Sequence, residues 1–362
     1  MKKLLIVTGE LSGSIYGRKI AGELSPHLRL YGVLHTEVEG VERIYDSREI
    51  TAFGLFEAVK KLPQIIRAKR LIGEFLEREK PDAVLLIDFP GFNLKVAAEA
   101  KKRGIKVLYF IPPKLWAWGE GRAKKLKELV DRLFVIFPFE VEFYRRFGIE
   151  ATFVGNPLFE IAKPKLRKEE FFSKTGLKEP LYALLPGSRE SEINYLLEPL
   201  LKTARSLKGE KAIPVASTVD FEKIKKLRDR LNPRVALLGE EIRYELMACS
   251  ELGVIASGTA SLEAALLNLP HVVVYRLNRL TYWIAKRVVK TEFVSLPNII
   301  AGREVVPELL QDGVNPSRIL KAIEEVEKRR KEIKEALKEE VAGRLKGECF
   351  KKLREEILEE LS

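Results

Sequence analysis

Histidine, cysteine and long apolar runs are scarce in this chain. Its two cysteines, Cys249 and Cys349, stand far apart with no Cys-x-x-Cys or Cys/His cluster. That spacing excludes a disulfide framework and a zinc site, and it fits a reducing compartment. The three histidines, His27, His35 and His271, fall in no recognised motif, so histidine catalysis is not expected. No run approaches the ~20 apolar residues of a membrane-spanning helix. The stretch 4–7 is too short for a signal peptide and stops at Gly9, so a soluble, cytoplasmic protein is expected. No Asp-x-Asp pair lies near a glycine loop, which leaves no evident seat for a divalent metal, and no cofactor is expected. Methionine and glutamine are scarce while Lys and Glu dominate, a bias that suits a thermophile.

What is present is a chain of 362 residues, 46% hydrophobic, long enough for two domains with buried cores. The net charge of +12 fits nucleic acid, an anionic lipid surface or an anionic small substrate. Without a zinc finger, an RRM core or an aromatic–basic ladder, nucleic acid is the weakest of the three.

Strands and amphipathic helices alternate throughout. Short apolar strands are expected at Lys3–Val7, Ala83–Ile87, Lys106–Phe110, 132–137 and 151–154. A second series follows at Leu181–Leu185, 213–216, 235–238, 252–255 and 271–274. Between the series, residues 156–180 are polar and carry Pro157, Pro164 and Pro180, which reads as a linker. The pattern predicts two doubly wound parallel-sheet halves with ligand edges at the carboxyl ends of their strands. The tail from about 317 is Lys/Glu/Leu-rich and helical.

The stretch Ile255-Ala256-Ser257-Gly258-Thr259-Ala260-Ser261-Leu262-Glu263 is the organising element. An apolar strand turns at Ser257-Gly258 into a helix whose unpaired N–H groups and positive dipole end face the sheet edge. A second strand-to-loop element, Leu184-Leu185-Pro186-Gly187-Ser188-Arg189, delivers an arginine. An arginine beside a helix N-terminus suits a diphosphate, because its fork offers bidentate donors. Asp88 ends another apolar strand just before Pro90-Gly91, where an α/β sheet presents residues to ligand, although such an aspartate also caps helices. Glu10, on the first strand-to-helix loop, is the competing carboxylate.

The ordered set Gly9-Glu10-x-Ser12-Gly13, Ile87-Asp88-x-Pro90-x-Phe92-Asn93, Trp116-Ala117-Trp118, the Leu184 to Arg189 element with Glu192, and Ala256-Ser257-Gly258-Thr259-Ala260 with Leu262-Glu263 resembles the lipid-A-disaccharide synthases. So does the long block Lys290-Thr291-Glu292-Phe293-Val294-Ser295-Leu296-Pro297-Asn298 with Ala301-Gly302-Arg303-Glu304. The resemblance implies the GT-B architecture: two Rossmann-like domains facing across a cleft. Residues 1–165 would form the acceptor and membrane-facing domain and 175–334 the UDP-sugar donor domain, with a C-terminal helix of about 335–362 able to pack back on the first.

It also implies an inverting transfer of 2,3-diacylglucosamine from its UDP derivative to 2,3-diacylglucosamine 1-phosphate (lipid X). In that reading Asp88 is the base, with Glu10 behind it and Asn298 at the donor or catalytic site. Arg189, Ser188, Ser257, Gly258, Thr259, Ala260, Glu263 and Arg303 would hold UDP, Glu263 through the ribose. The basic-apolar segment 50–67 would meet membrane and acyl chains through Phe53, Leu55, Phe56, Lys60 and Lys61. Trp116, Trp118 and Arg122 would line the same acceptor side. A peripheral place on the cytoplasmic face of a Gram-negative-type inner membrane and a homodimer are implied as well.

The sequence departs from the family pattern at Ser14, Gly91 and Asn156, where two carboxylates and an imidazole are usual. Those departures concentrate the base role on Asp88. Two rivals stay open: a UDP-N-acetylglucosamine 2-epimerase of the same architecture, and a membrane-associated binding protein without catalysis.

Overall fold

The computed structural model describes residues 1–9, 11–51, 61–117, 119–288 and 291–362. Glu10, Phe53, Leu55, Phe56, Lys60 and Trp118 lie outside that set, as do the side chains of Ser12 and Ser14. By internal packing the chain divides into two units, Met1–Pro157 with Gly347–Ser362, and Leu158–Lys346.

The first unit is a seven-stranded parallel sheet. Its strands are β1 (Lys3–Val7), β2 (Arg29–Leu34), β3 (Val41–Asp46), β4 (Ala83–Ile87), β5 (Lys106–Phe110), β6 (Arg132–Val135) and β7 (Ala151–Phe153). Their order is β3-β2-β1-β4-β5-β6-β7, so the winding reverses between β1 and β4. Helices cover both faces, which is why β4 reads Ala-Val-Leu-Leu-Ile with every residue buried. One face packs Leu5, Val7, Val84 and Leu86 against Ile72, Phe75 and Leu76 of the helix Leu62–Glu79. That helix ends where Lys80 turns left-handed before Pro81, which cannot continue it.

The second unit has six parallel strands: β8 (Leu181–Leu185), β9 (Glu210–Val215), β10 (Ala236–Gly239), β11 (Leu252–Ala256), β12 (His271–Tyr275) and β13 (Glu308–Leu310). The order β10-β9-β8-β11-β12-β13 reverses between β8 and β11. Leu181, Ala183, Ile255 and Ala264 lie in its core.

Strands β2, β3 and β13 are additions to the sequence reading. Gly32 interrupts the apolar run of β2, and β3 is a half-exposed edge strand, Val-Glu-Arg-Ile-Tyr-Asp, so neither shows a clean signal.

The expected linker 156–180 is largely folded. It carries the helices Leu158–Ile161 and Lys168–Thr175, and Phe171 is fully buried in the second core. Glu245 accepts the backbone N–H groups of Lys165 and Leu166 at 2.6 and 3.1 Å, tying the proline-rich stretch down. The tail also divides differently from expectation. Leu337 and Val341 are buried within the second unit, and only Gly347–Ser362 joins the first. There the helix Cys349–Leu361 buries Phe350, Leu353 and Ile357. Arg132 meets Glu356 and Glu360 at 3.5 and 3.3 Å, and Arg354 meets Glu23 at 2.9 Å. Gly347 passes so close to Gly155 that a Cβ on it would lie 3.6 Å from the Gly155 Cα.

Candidate functional site

Each unit presents its candidate groups at the reversal of its own sheet, where the carboxyl ends of two neighbouring strands leave a crevice. In the first unit these ends belong to β1 and β4. Asp88 follows β4 with φ of 49°, and Phe89 follows it with the same value. Two consecutive non-glycine residues in the left-handed region cost ~1–3 kcal/mol each and persist only where neighbours hold them. Here the neighbours are explicit. The Asp88 N–H donates to the Phe110 carbonyl at 3.0 Å. The Asp88 carbonyl accepts Tyr109 Oη at 2.8 Å and Asn93 Nδ2 at 2.7 Å.

The turn sets the Phe89 ring over Gly9, where a Cβ would come within 1.9 Å of the ring. Only glycine fits there. Thr51 Oγ1 donates to the Gly9 carbonyl, so the segment leading to residues 52–60 is tied to the same loop. Asp88 itself is half-buried. Burial pushes its carboxyl up, while the Lys114 ammonium and the Phe89 N–H pull it back.

The loop after β5 is anchored inward. Trp116 Nε1 donates to Glu140 Oε1 at 2.9 Å, and its ring packs edge-on against Phe137 and Phe139. The expectation set Trp116 on the acceptor side; the structure adds an inward hydrogen bond to a ring that is half-buried. Its indole N–H serves a buried carboxylate. Glu140 Oε2 accepts the N–H groups of Ile136 and Phe137, and the residue is 2% exposed. Burial dominates over these donors and pushes its carboxyl up to about 7. Glu140, Lys114, Tyr109 and the carbonyl-binding role of Asn93 were not found from sequence. Only Asn93 stood in a motif, and the Pro-Phe-Glu start of the helix Pro138–Arg145 was the one available hint of a cap.

Lys61, expected on the acceptor and membrane side, also has inward partners. Its Nζ donates to the carbonyls of Arg48 and Thr51 at 3.0 and 2.5 Å, so it fastens the start of the helix Leu62–Glu79 to the preceding chain. On that helix Leu62 and Ile66 are 50% and 61% exposed, while Ile65 packs toward the core. Arg122 is exposed on the short turn Glu120–Arg122.

In the second unit the ends belong to β8 and β11. Gly187 takes φ of 112°, and a Cβ there would lie 2.2 Å from Glu192 Oε2. Glu192 Oε2 accepts the N–H groups of Ser188 and Arg189 at 2.9 and 3.1 Å, closing the start of the helix Glu190–Ala204. Those two amides are therefore spent, and the Ser188 carbonyl accepts Thr218 Oγ1 at 2.6 Å. The Arg189 guanidinium remains 70% exposed, with one long contact of 3.4 Å to Glu192. Tyr275, at the end of β12, lies within electrostatic reach of both and was not anticipated.

Across the crevice the helix Thr259–Leu266 starts at Gly258, with φ of 144° and no capping side chain. Ser257 Oγ donates to the Val294 carbonyl at 2.9 Å, and Thr259 is exposed while Ala260 is half-buried. The exposed Arg189 fork and this uncapped N-terminus both offer hydrogen-bond donors at the carboxyl ends of β8 and β11, a chemistry that suits an anion.

Three residues expected on the donor side have protein partners of their own. Asn298 is fully buried and saturated: Nδ2 donates to the Val306 carbonyl and Glu308 Oε1, both at 2.9 Å, and Oδ1 accepts Val305 and Val306 N–H. It staples the connection into β13 and has no polar atom left for substrate. Arg303 forks onto Glu340 at 2.9 and 2.5 Å. Glu263 is 5% exposed and its Oε1 accepts Tyr244 Oη and Arg243 Nη2 at 2.9 and 3.2 Å. Burial pushes this carboxyl up against the pull of Arg243 and Tyr244, so a ribose contact would compete with an existing inward pairing. Among the described residues no group of three or more His, Cys, Asp or Glu side chains is placed to hold a metal ion.

A profile of the lipid-A-disaccharide synthetases matches residues 4–361. The chain is 38% identical over 336 residues to a lipid-A-disaccharide synthase of Myxococcus xanthus, covering 90% of this chain and 88% of the relative. To the one from Syntrophus aciditrophicus it is 38% identical over 351 residues, covering 93% and 92%. Among solved structures, MurG of Acinetobacter baumannii superposes with a TM-score of 0.61 at 13% identity, covering 99% and 100% of the two chains. A UDP-GlcNAc 2-epimerase of Neisseria meningitidis, bound to UDP-GlcNAc, gives 0.64 at 15% identity, covering 99% of each. These structural likenesses establish the GT-B fold of two parallel-sheet α/β domains.

Proposed function

The chain belongs to the lipid-A-disaccharide synthase family, and from that premise we propose how its two crevices divide one glycosyl transfer. As a member of this family the protein is a glycosyltransferase. The donor is UDP-2,3-diacylglucosamine and the acceptor 2,3-diacylglucosamine 1-phosphate. The acceptor's primary hydroxyl attacks the anomeric carbon, the bond to the diphosphate breaks, and the electron pair leaves with UDP. The displaced proton passes to Asp88. One in-line displacement inverts the anomeric centre and gives the β-1,6 disaccharide phosphate.

The observation that carries this reading is that each sheet reversal presents its own group, Asp88 in the first unit and the Arg189–Gly258 edge in the second. A carboxylate whose proton affinity is raised by burial suits a general base, and a base so placed contributes ~10²–10⁴-fold. An exposed guanidinium beside an uncapped helix N-terminus suits a departing diphosphate, and these groups supply its counter-charge without a metal. Contact with the anionic cytoplasmic surface of the inner membrane, through the start of the helix Leu62–Glu79 and the segment before it, gives access to lipid substrates. The family likeness also implies a homodimer.

Incubation of the protein with UDP-2,3-diacylglucosamine, with and without acceptor and with EDTA present, tests the proposal. Acceptor-dependent UDP release and disaccharide formation are expected. Epimerisation of the donor, or binding without turnover, would replace it. Activity lost to EDTA and restored by Mg²⁺ would overturn the metal-free arrangement.

A further inference from the structure

The helix Arg279–Val288 in the second unit is the surface element that the proposed chemistry does not use. Between residues 276 and 291 the chain carries Arg276, Arg279, Lys286, Arg287 and Lys290 and not one carboxylate. In a protein where Asp and Glu number 52, a sixteen-residue span without either is a local excess of positive charge in the sequence. Trp283 is 57% exposed on this helix. Arg279, Trp283 and Arg287 are spaced by four, which puts them on one face, and all three are exposed. The Arg287 guanidinium lies 3.2 Å from the centre of the Trp283 ring, and its Nη1 donates to the Trp283 carbonyl at 3.3 Å.

The helix is held at its start. Asn278 Oδ1 accepts the Thr281 N–H at 2.8 Å, and Gln311 brackets Leu277 through both its N–H and its carbonyl, at 2.7 and 3.1 Å. A helix fastened at its start thus shows water a tryptophan between two arginines.

We infer that the Arg279–Trp283–Arg287 face is a docking surface for an anionic lipid bilayer, separate from the contact proposed for the first unit. Indole prefers the boundary between headgroups and acyl chains, and the flanking guanidiniums meet lipid phosphates. An acidic protein partner would satisfy the charge but gives a lone exposed indole ring no apolar phase to enter. The inference rests on the proposed function only in that a lipid-borne donor gives this unit a membrane to reach.

The test uses the full-length protein and two kinds of vesicle, one of phosphatidylcholine alone and one with phosphatidylglycerol added. Partitioning is expected into the anionic vesicles and to weaken with salt. Trp283→Ser, and separately the Arg279→Gln/Arg287→Gln pair that keeps the ring, should each lower it by about tenfold. Tryptophan emission of the wild type should shift to the blue on binding. That shift should vanish in Trp283→Phe, which separates this ring from Trp116 and Trp118.

Partitioning within about twofold of wild type in both variants would overturn the inference. So would equal binding to neutral vesicles, or self-association abolished by Trp283→Ser, which would give the face to a second copy of the chain. Turnover of short-chain substrate in detergent is read in parallel. Its absence in the wild type removes the proposed function and leaves the vesicle result to stand by itself.

Discussion

The two crevices occupy the same place in two similar sheets and carry opposite chemistry. At β1/β4 the chain presents a half-buried carboxylate on a strained left-handed pair, braced by Tyr109 and Asn93. At β8/β11 it presents an exposed arginine and an uncapped helix N-terminus, with the special dihedrals given to glycines. The left-handed dihedrals thus fall on Asp88 and Phe89 in the first crevice and on Gly187 and Gly258 in the second, which fits the proposal that one aims a carboxylate and the other leaves backbone open to an anion. A topological reversal makes a crevice; the residues at its rim decide whether it takes a proton or a phosphate.

The largest effect should come from deleting the carboxylate. Asp88→Asn keeps the shape of the turn but cannot take the proton, so turnover should drop by ~10²–10⁴-fold while UDP affinity stays unchanged. Single-turnover rates alongside calorimetric UDP binding check both halves. Near-normal turnover would erase the contrast between the crevices and move the base role to Glu10.

The second effect is on stability, and it has opposite signs in the two units. His271, fully buried at the start of β12, is held down to about 4 by burial, with its Nδ1 on the Leu269 carbonyl. Its folded value lies below the ordinary 6.5, so the unfolded chain gains the proton first on acidification. The second unit is then at full stability above about pH 6.5 and loses up to ~3 kcal/mol as pH falls to about 4. Glu140 is the mirror case. Its folded value of about 7 lies above the ordinary 4.5, so its share of the first unit's stability is present in acid and lost as pH rises through about 7, again by ~3 kcal/mol. Hydrogen exchange in β4 and in β12, corrected for intrinsic rate, should show protection moving in opposite directions across this range. Glu140→Gln should flatten the β4 profile and leave that of β12 alone. Parallel profiles in the two sheets would contradict both assignments.

A smaller loss is expected from Arg189→Ala. The guanidinium is largely solvated, so its share of diphosphate binding is about 1.4 kcal/mol, or about tenfold in UDP affinity. Titration with UDP reads it directly. An unchanged affinity would leave the helix at Gly258 as the anion site and make the two crevices less different than they look.

How much of this was legible depended on whether backbone or side-chain partners decided the outcome. β1, β4, β5 and β8 are apolar runs bounded by turn residues, and the structure places them as read. The glycine loops are legible for a similar reason, since small residues at a strand-to-helix turn leave few other conformations. Asn298 stood in the most distinctive block of the sequence, yet spacing cannot tell an amide aimed at substrate from one turned back on Val305 and Val306. The pairings of Arg303 and Trp116 were hidden for the same cause. Their partners, Glu340 and Glu140, lie 37 and 24 positions away. Glu140 carried no motif at all, because what makes it unusual is burial, which is a property of the fold.

The smallest effect on stability, and the one that separates the two units at the membrane, belongs to Leu62 and Ile66. They stand four apart on the exposed face of the helix Leu62–Glu79, whose other face buries Ala68, Ile72, Phe75 and Leu76. A core position such as Ile72 should cost ~2–5 kcal/mol on truncation to Ala. Leu62→Ser/Ile66→Ser removes side chains that already meet solvent, so the change should stay within ~0.5 kcal/mol per site. If the face is an interfacial contact, that same double variant should still lose vesicle binding, since each apolar side chain seated in lipid contributes on the order of 1.5–3 kcal/mol. Combined with Trp283→Ser, the losses should add, because the two faces belong to separately packed units. Melting temperature and vesicle co-sedimentation on the same three proteins decide it. A large drop in melting temperature with unchanged co-sedimentation would return Leu62 and Ile66 to the protein interior and leave the Trp283 helix as the sole candidate contact among the described residues.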